Sequence, residues 1–146
     1  MSIRFFLCFN KQGVVRLIRW YTMIETGYET QDFISHIYRL ISSRDHKHQS
    51  NFVEFSDTTK LIYKRYAGLY FVMGVDIDDE EPIYLSHIHF FVEVLDDFFG
   101  NVCELDIVFN FYKVYMILDE IFLAGEIQEV SKDVLSEKLH ILDRLE

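Results

Sequence analysis

"KLIYKRYAGLYFVMGVD", residues 60–76, decides the fold. It consists of two strand-like runs, 60–67 and 69–76, rich in aliphatic and aromatic residues, and Gly68 marks the break between them. Just before it, "NFVEF" (51–55) is a third run, set off by the polar "SDTT". Nearer the start, "IRFFLCF" (3–9) and "VVRLIRWY" (14–21) read as two more strands. The intervening "NKQG" puts Gly13 where a short hairpin loop often needs positive φ.

Between these groups lies "TQDFISHIYRLISSR" (30–44), with Phe33, Ile34, Ile37, Leu40 and Ile41 at helical spacing and Thr30 as an N-cap. After the hairpin, the acidic "DIDDEE" is a loop and Pro82 suits the first residue of a helix over 82–99. That helix carries Leu85, Ile88, Val92, Leu95 and Phe99 on one face, and Gly100 stops it. A final amphipathic helix, 131–145, has Ser131 as its cap and Leu135, Leu139, Leu142 and Leu145 on one face. The order is β-β-α-β-β-β-α-α-α. An α+β fold follows, a five-stranded antiparallel sheet whose faces helices cover.

The third helix of that order, "VCELDIVFNFYKVYMILDEIFLA" (102–124), is unusual: 17 of its 23 residues are apolar. Read as one helix ending near Gly125, it has a narrow polar stripe of Asp106, Asn110, Lys113 and Glu120. Glu104 and Asp119 break the pattern near its ends. It is apolar almost all round, whereas a surface helix has a single apolar face. A bilayer does not explain it, because a spanning helix needs about 20 predominantly apolar residues with few charges. Here the charges at 106, 113, 119 and 120 leave only 114–118 clean.

Composition agrees with a subunit. Half the residues are hydrophobic and 16% are aromatic, and a formal charge of −10 argues against nucleic acid. A chain of 146 residues with one proline, no repeat and no low-complexity stretch reads as a single domain over 1–146. The N-terminus lacks the pattern of a signal peptide, and isolated Cys8 and Cys103 suit a reducing compartment.

Chemistry is hard to find. His87 and His89 stand two apart on a helix, where ligand pairs need i, i+4 spacing. His46 and His48 lack a nearby third ligand. "DIDDEE" has Glu81 and His87 where a calcium loop needs Gly and Glu. No Gly-rich phosphate loop follows a strand, the cysteines read as core, and the carboxylates are scattered. The expectation is no metal, no cofactor and no catalysis.

"LIYKRYAGLYF" (61–71) resembles the signature of the clathrin adaptor small chains: two aliphatics, a tyrosine, a basic residue, four variable positions, then Leu-Tyr-Phe. The resemblance extends to "NKQGVVRLIRWY", "FVEVLDDFFGNVCELDIVFNFYKVY" and "DEIFLAGEIQE". Within the family, "NFVEF", "AGLYF", "FVEVL" and "NFYKVY" look closest to the sigma chain of the plasma-membrane type, adaptor protein complex 2. A trans-Golgi or endosomal sigma chain and a longin-type trafficking regulator are the alternatives.

The resemblance implies a longin-like fold and a place in a heterotetramer. An alpha-type large subunit would clasp the chain, beta and mu subunits would complete the complex, and the mu chain would read tyrosine-based signals. Clathrin would be reached indirectly, and the membrane only peripherally, on the cytosolic face of coated pits. The resemblance also implies a site for acidic dileucine signals, [Glu/Asp]-x-x-x-Leu-[Leu/Ile]. Its leucine pockets would be lined by Tyr66, Ala67, Leu69, Val92, Asn101, Val102 and Ile107, with Arg16 as the basic contact to the acidic residue. Ile107 stands where the family has leucine.

Overall fold

In the computed structural model, which describes residues 3–22, 30–44, 51–123 and 126–127, the two runs around Gly68 form a tight hairpin. Strand β4 (Thr59–Tyr66) pairs antiparallel with β5 (Leu69–Asp76), with Tyr66 opposite Leu69 at the turn. Only Ala67 and Gly68 lie between them, at φ 53° and 77°. A two-residue turn matching the strand twist needs positive φ at both positions, which Gly takes freely and Ala only at a cost.

Three further strands extend the sheet: β1 (Ile3–Asn10), β2 (Val15–Trp20) and β3 (Phe52–Glu54). The order is β2-β1-β5-β4-β3, with every pair antiparallel. Central β5 is buried from Leu69 to Val75, so both sheet faces are covered. Helix α1 (Thr30–Ser42) lies on one face, its Phe33, Ile34, Ile37 and Ile41 clustering with Phe5, Leu7 and Phe9. The other face takes Phe6 and Cys8, the alternate residues of β1, together with α2 (Glu81–Phe99). α1 begins at Thr30 itself, so Thr30 sits in the first turn rather than capping it. Pro82 is the second residue of α2, where its missing N–H costs nothing. Gly100 ends α2 at φ 66° and its N–H donates to the Asp96 carbonyl.

The single helix expected over 102–124 is two helices, α3 (Glu104–Phe109) and α4 (Phe111–Ile121). Asn110 separates them at φ −122°, ψ 34°. Its side-chain amide donates to the Asp106 carbonyl at 3.1 Å, and its own carbonyl accepts from Lys113 at 3.0 Å. An asparagine side chain that bonds the backbone locally offers the chain an exit from the helix ladder. The Asp106 carboxylate, on the same expected polar stripe, accepts from the Cys103 N–H at 3.0 Å and fixes the start of α3. Phe122 and Leu123 then form β6, which pairs with β7 (Glu126–Ile127), a small hairpin where the helix was expected to continue. The expected helix over 131–145, like His46 and His48, lies outside the described residues.

Candidate functional site

Arg16 reaches the α2 face of the sheet through a β-bulge. Along β1 and β2, Cys8 pairs with Leu17 but Phe9 pairs with Val15, leaving Arg16 as the extra residue. Regular alternation would put Arg16 on the α1 face with Ile18 and Trp20, which pack there. The bulge re-aims it to the side where Leu17 is buried. There its Nε donates to Glu104 Oε2 at 2.7 Å, and Asn10 Nδ2 donates to the same oxygen at 3.0 Å. These two hydrogen bonds, Arg16 first, hold the Glu104 carboxyl below the ordinary carboxylate range. Asn10 is itself fixed, since its Oδ1 accepts the N–H groups of Gln12 and Val14 at 2.9 Å each.

A second tie lies three residues further along β2. Arg19 makes a two-pronged contact with Asp119 of α4, at 3.1 and 2.8 Å, and its guanidinium lies 4.7 Å from the Tyr115 ring centre. The Tyr115 hydroxyl accepts from the Ile18 N–H at 2.9 Å. Glu104 and Asp119 are the two acids of the apolar stretch that lie off its expected polar stripe, and each fastens its helix to β2. An exposed pair of this kind contributes about 0–1 kcal/mol, so the apolar contacts beneath supply most of the stability.

The residues predicted to form leucine pockets come from three places. Tyr66, Ala67 and Leu69 belong to the hairpin turn, Val92 to α2, and Asn101, Val102 and Ile107 to the α2–α3 connection and α3. Asp96 joins them: its carboxylate accepts from the Tyr66 hydroxyl and, at 3.0 Å, from the Val102 N–H. The bond to Asp96, before burial, raises the Tyr66 phenol above its ordinary pKa. Leu69, Val92, Val102 and Ile107 share one cluster, and Tyr66 packs against it. All four are buried, at 0–4% exposure, so leucine side chains can enter only if these residues move apart. Ala67 and Asn101 are exposed at the rim. Among the described residues they are the two non-glycine positions with positive φ, 53° and 71°.

Beside this cluster the surface is unusually apolar. Leu105, Phe109, Phe111 and Tyr112 of α3 and α4 are 62, 73, 57 and 46% exposed. No helix among the described residues is long and apolar enough to cross a membrane. Elsewhere, Cys8 is fully buried and its thiol pKa is pushed up, chiefly by desolvation, as suits core rather than nucleophile, whereas Cys103, also expected as core, is exposed at the cap of α3. A cavity of about 530 Å³ beside the first half of α2, lined by Phe52, Lys64, Leu85 and His89 among others, shares no residue with the predicted pockets.

The family profile described as clathrin adaptor complex small chain matches residues 2–146. The chain belongs to this family. Among relatives, it is 75% identical to the AP-2 complex subunit sigma of Saccharomyces cerevisiae, over the whole of both chains. It is 49% identical to the AP-1 complex subunit sigma-1 of Schizosaccharomyces pombe, over 93% of this chain and 83% of that one. In structure it resembles a chain of a homology model of the full-length AP-3 complex in a stretched open conformation. There the TM-score is 0.74 and the identity 31%, over 98% of this chain and 94% of that chain.

The longin-like α+β fold of an adaptor small chain is thus the fold observed. Adaptor small chains are structural trafficking proteins rather than enzymes, and they work within a multi-subunit complex. For this small chain the exposed aromatic surface of α3 and α4 is consistent with such assembly. The eight residues expected at a cargo site gain neighbours that the sequence did not single out, Asn10 beside Arg16 and Asp96 beside Tyr66, while Glu104 stood there only as a break in an apolar pattern. Their one sequence signal is a polar residue bordering strongly apolar runs.

Proposed function

We propose that this chain, as one domain over 1–146, is the sigma subunit of an AP-2-type clathrin adaptor complex. It works on the cytosolic face of the plasma membrane at coated pits. In this reading it packs against an alpha-type large subunit, stabilises the complex core with beta and mu subunits, and binds acidic dileucine signals of membrane cargo. The 75% full-length identity to an AP-2 complex subunit sigma supports the choice of complex.

One observation carries the cargo reading. The two left-handed non-glycine residues, Ala67 and Asn101, lie at the rim of the Leu69–Val92–Val102–Ile107 cluster, and Arg16 bonds α3, the helix that carries Ile107. Backbone strain of this kind persists where the surroundings impose it, and it gathers at ligand sites. Opening requires α3 and its lead-in to part from α2. Two leucine side chains then gain about 3–6 kcal/mol. A charge-assisted contact to Arg16 adds about 1.5–3 kcal/mol. After opening and ordering costs, micromolar affinity is expected, about −8 kcal/mol.

Arg16→Ser in the assembled complex should weaken an acidic dileucine peptide by about five- to ten-fold, because the contact is partly solvated. The loss should shrink when the peptide's acidic residue is changed to Gln, and shrink again at high salt. A double-mutant cycle by calorimetry measures this coupling. Zero coupling at low salt would mean that Arg16 does not read the acidic residue.

A further inference from the structure

The bond that holds Arg16 uses Nε, and among the described residues neither terminal nitrogen of the guanidinium has a hydrogen-bond partner. We infer that Glu104, itself held by Asn10, is the positioning residue for Arg16, turning the two terminal nitrogens outward to receive the carboxylate of the acidic signal. This rests on the reading of Arg16 as the contact to that signal.

The arrangement is built from the backbone outward. The N–H groups of Gln12 and Val14 fix Asn10 Oδ1, which leaves Asn10 Nδ2 to donate to Glu104 Oε2. Asn10 is 7% exposed, so a buried amide has both its ends satisfied. Glu104 Oε2 then receives Arg16 Nε at 2.7 Å, on the residue that the bulge turned to this face. An unanchored arginine must give up its rotamer freedom on binding; an anchored one has already done so. With Nε occupied, Nη1 and Nη2 remain as a parallel pair of donors, the geometry that a carboxylate accepts with both oxygens.

Glu104 also acts in the opposite direction, because its negative charge lies close to where the ligand's charge must come. Orientation and charge separate by substitution. Glu104→Gln keeps an oxygen able to accept from Arg16 and Asn10 while removing the charge. Glu104→Ala removes both. Glu104 is partly solvated, with a side chain 32% exposed, so either variant should fold.

The test titrates two peptides into the assembled complex, one with Glu-x-x-x-Leu-Leu and one with Gln in place of Glu. Glu104→Ala should weaken the Glu peptide by about three- to ten-fold and leave the Gln peptide within about two-fold. Glu104→Gln should bind the Glu peptide as tightly as the native complex, or more tightly. Unchanged or tighter binding of the Glu peptide to Glu104→Ala would overturn the inference, showing that Glu104 competes for Arg16. Equal loss for both peptides would overturn it too, showing a structural role. Arg16→Ser, run alongside, distinguishes the failures. If Arg16→Ser weakens the two peptides equally, the reading of Arg16 falls and the positioning role with it. If Arg16→Ser weakens the Glu peptide more than the Gln peptide and Glu104→Ala does not, only the positioning role falls.

Discussion

Val92→Asp is expected to abolish acidic dileucine binding and to destabilise the chain by about 3–5 kcal/mol. Val92 is 2% exposed on the buried face of α2, in one cluster with Leu69, Val102 and Ile107. A carboxylate there has no cation among its cluster neighbours, so it must be buried charged or protonate instead. Desolvation raises the folded-state pKa above the unfolded value of about 3.9. The loss of stability should therefore be smallest below that pH, grow as pH rises, and level off above the folded-state pKa. Thermal melts between acid and neutral pH read this, and calorimetry on the assembled complex reads peptide affinity. Val92→Thr, nearly the same shape, should assemble and still weaken the dileucine peptide, while tyrosine-based signals on the mu chain stay unaffected. Native affinity in both variants would remove Val92 from the pocket and leave it as core alone.

Gly74→Ala should cost about 1–3 kcal/mol, a melting temperature lower by about 5–10 °C. A Cβ at Gly74 would lie 2.2, 2.4 and 2.7 Å from three atoms of the Phe5 ring. Phe5 cannot easily yield, because Trp20 and Phe33 pack against it with ring centres 5.5 and 5.4 Å away. Gly74 has no positive φ, so the penalty is one of space rather than of backbone conformation. Phe5→Leu should cost stability alone but recover part of the loss in the double variant, a coupling that a double-mutant cycle detects. A melting temperature unchanged by Gly74→Ala would mean that the ring moves aside freely.

Local chemistry made much of this fold legible in the sequence. Gly68 turns β4 into β5, Gly100 ends α2, and the alternation of Phe5, Leu7 and Phe9 against Phe6 and Cys8 divides the two cores. What stayed hidden depends on pairing at a distance. The bulge at Arg16 is a property of the β1–β2 register, which alternation along one strand does not carry. Asn110 splits an apolar run because its side chain bonds a carbonyl of the preceding turn, an alternative that periodicity does not score. Glu104 and Asn10 meet across 94 positions of sequence. The candidate site rests on resemblance alone at the sequence level, since Leu69, Val92, Val102 and Ile107 are indistinguishable from core by residue type.

Assembly tests the central claim, that this chain is an adaptor subunit, most directly. The chain should be produced alone and together with an alpha-type large subunit, and each preparation weighed by light scattering across a concentration series. Alone, with Leu105, Phe109, Phe111 and Tyr112 exposed, it should self-associate as concentration rises. Together, the two should form a one-to-one complex in which amide exchange at α3 and α4 slows. Phe109→Ser with Phe111→Ser should weaken that complex by about 100-fold or more, from about 1.5–3 kcal/mol of burial at each ring, and make the free chain more soluble. A free chain that stays monomeric at high concentration and does not bind the large subunit would contradict the account.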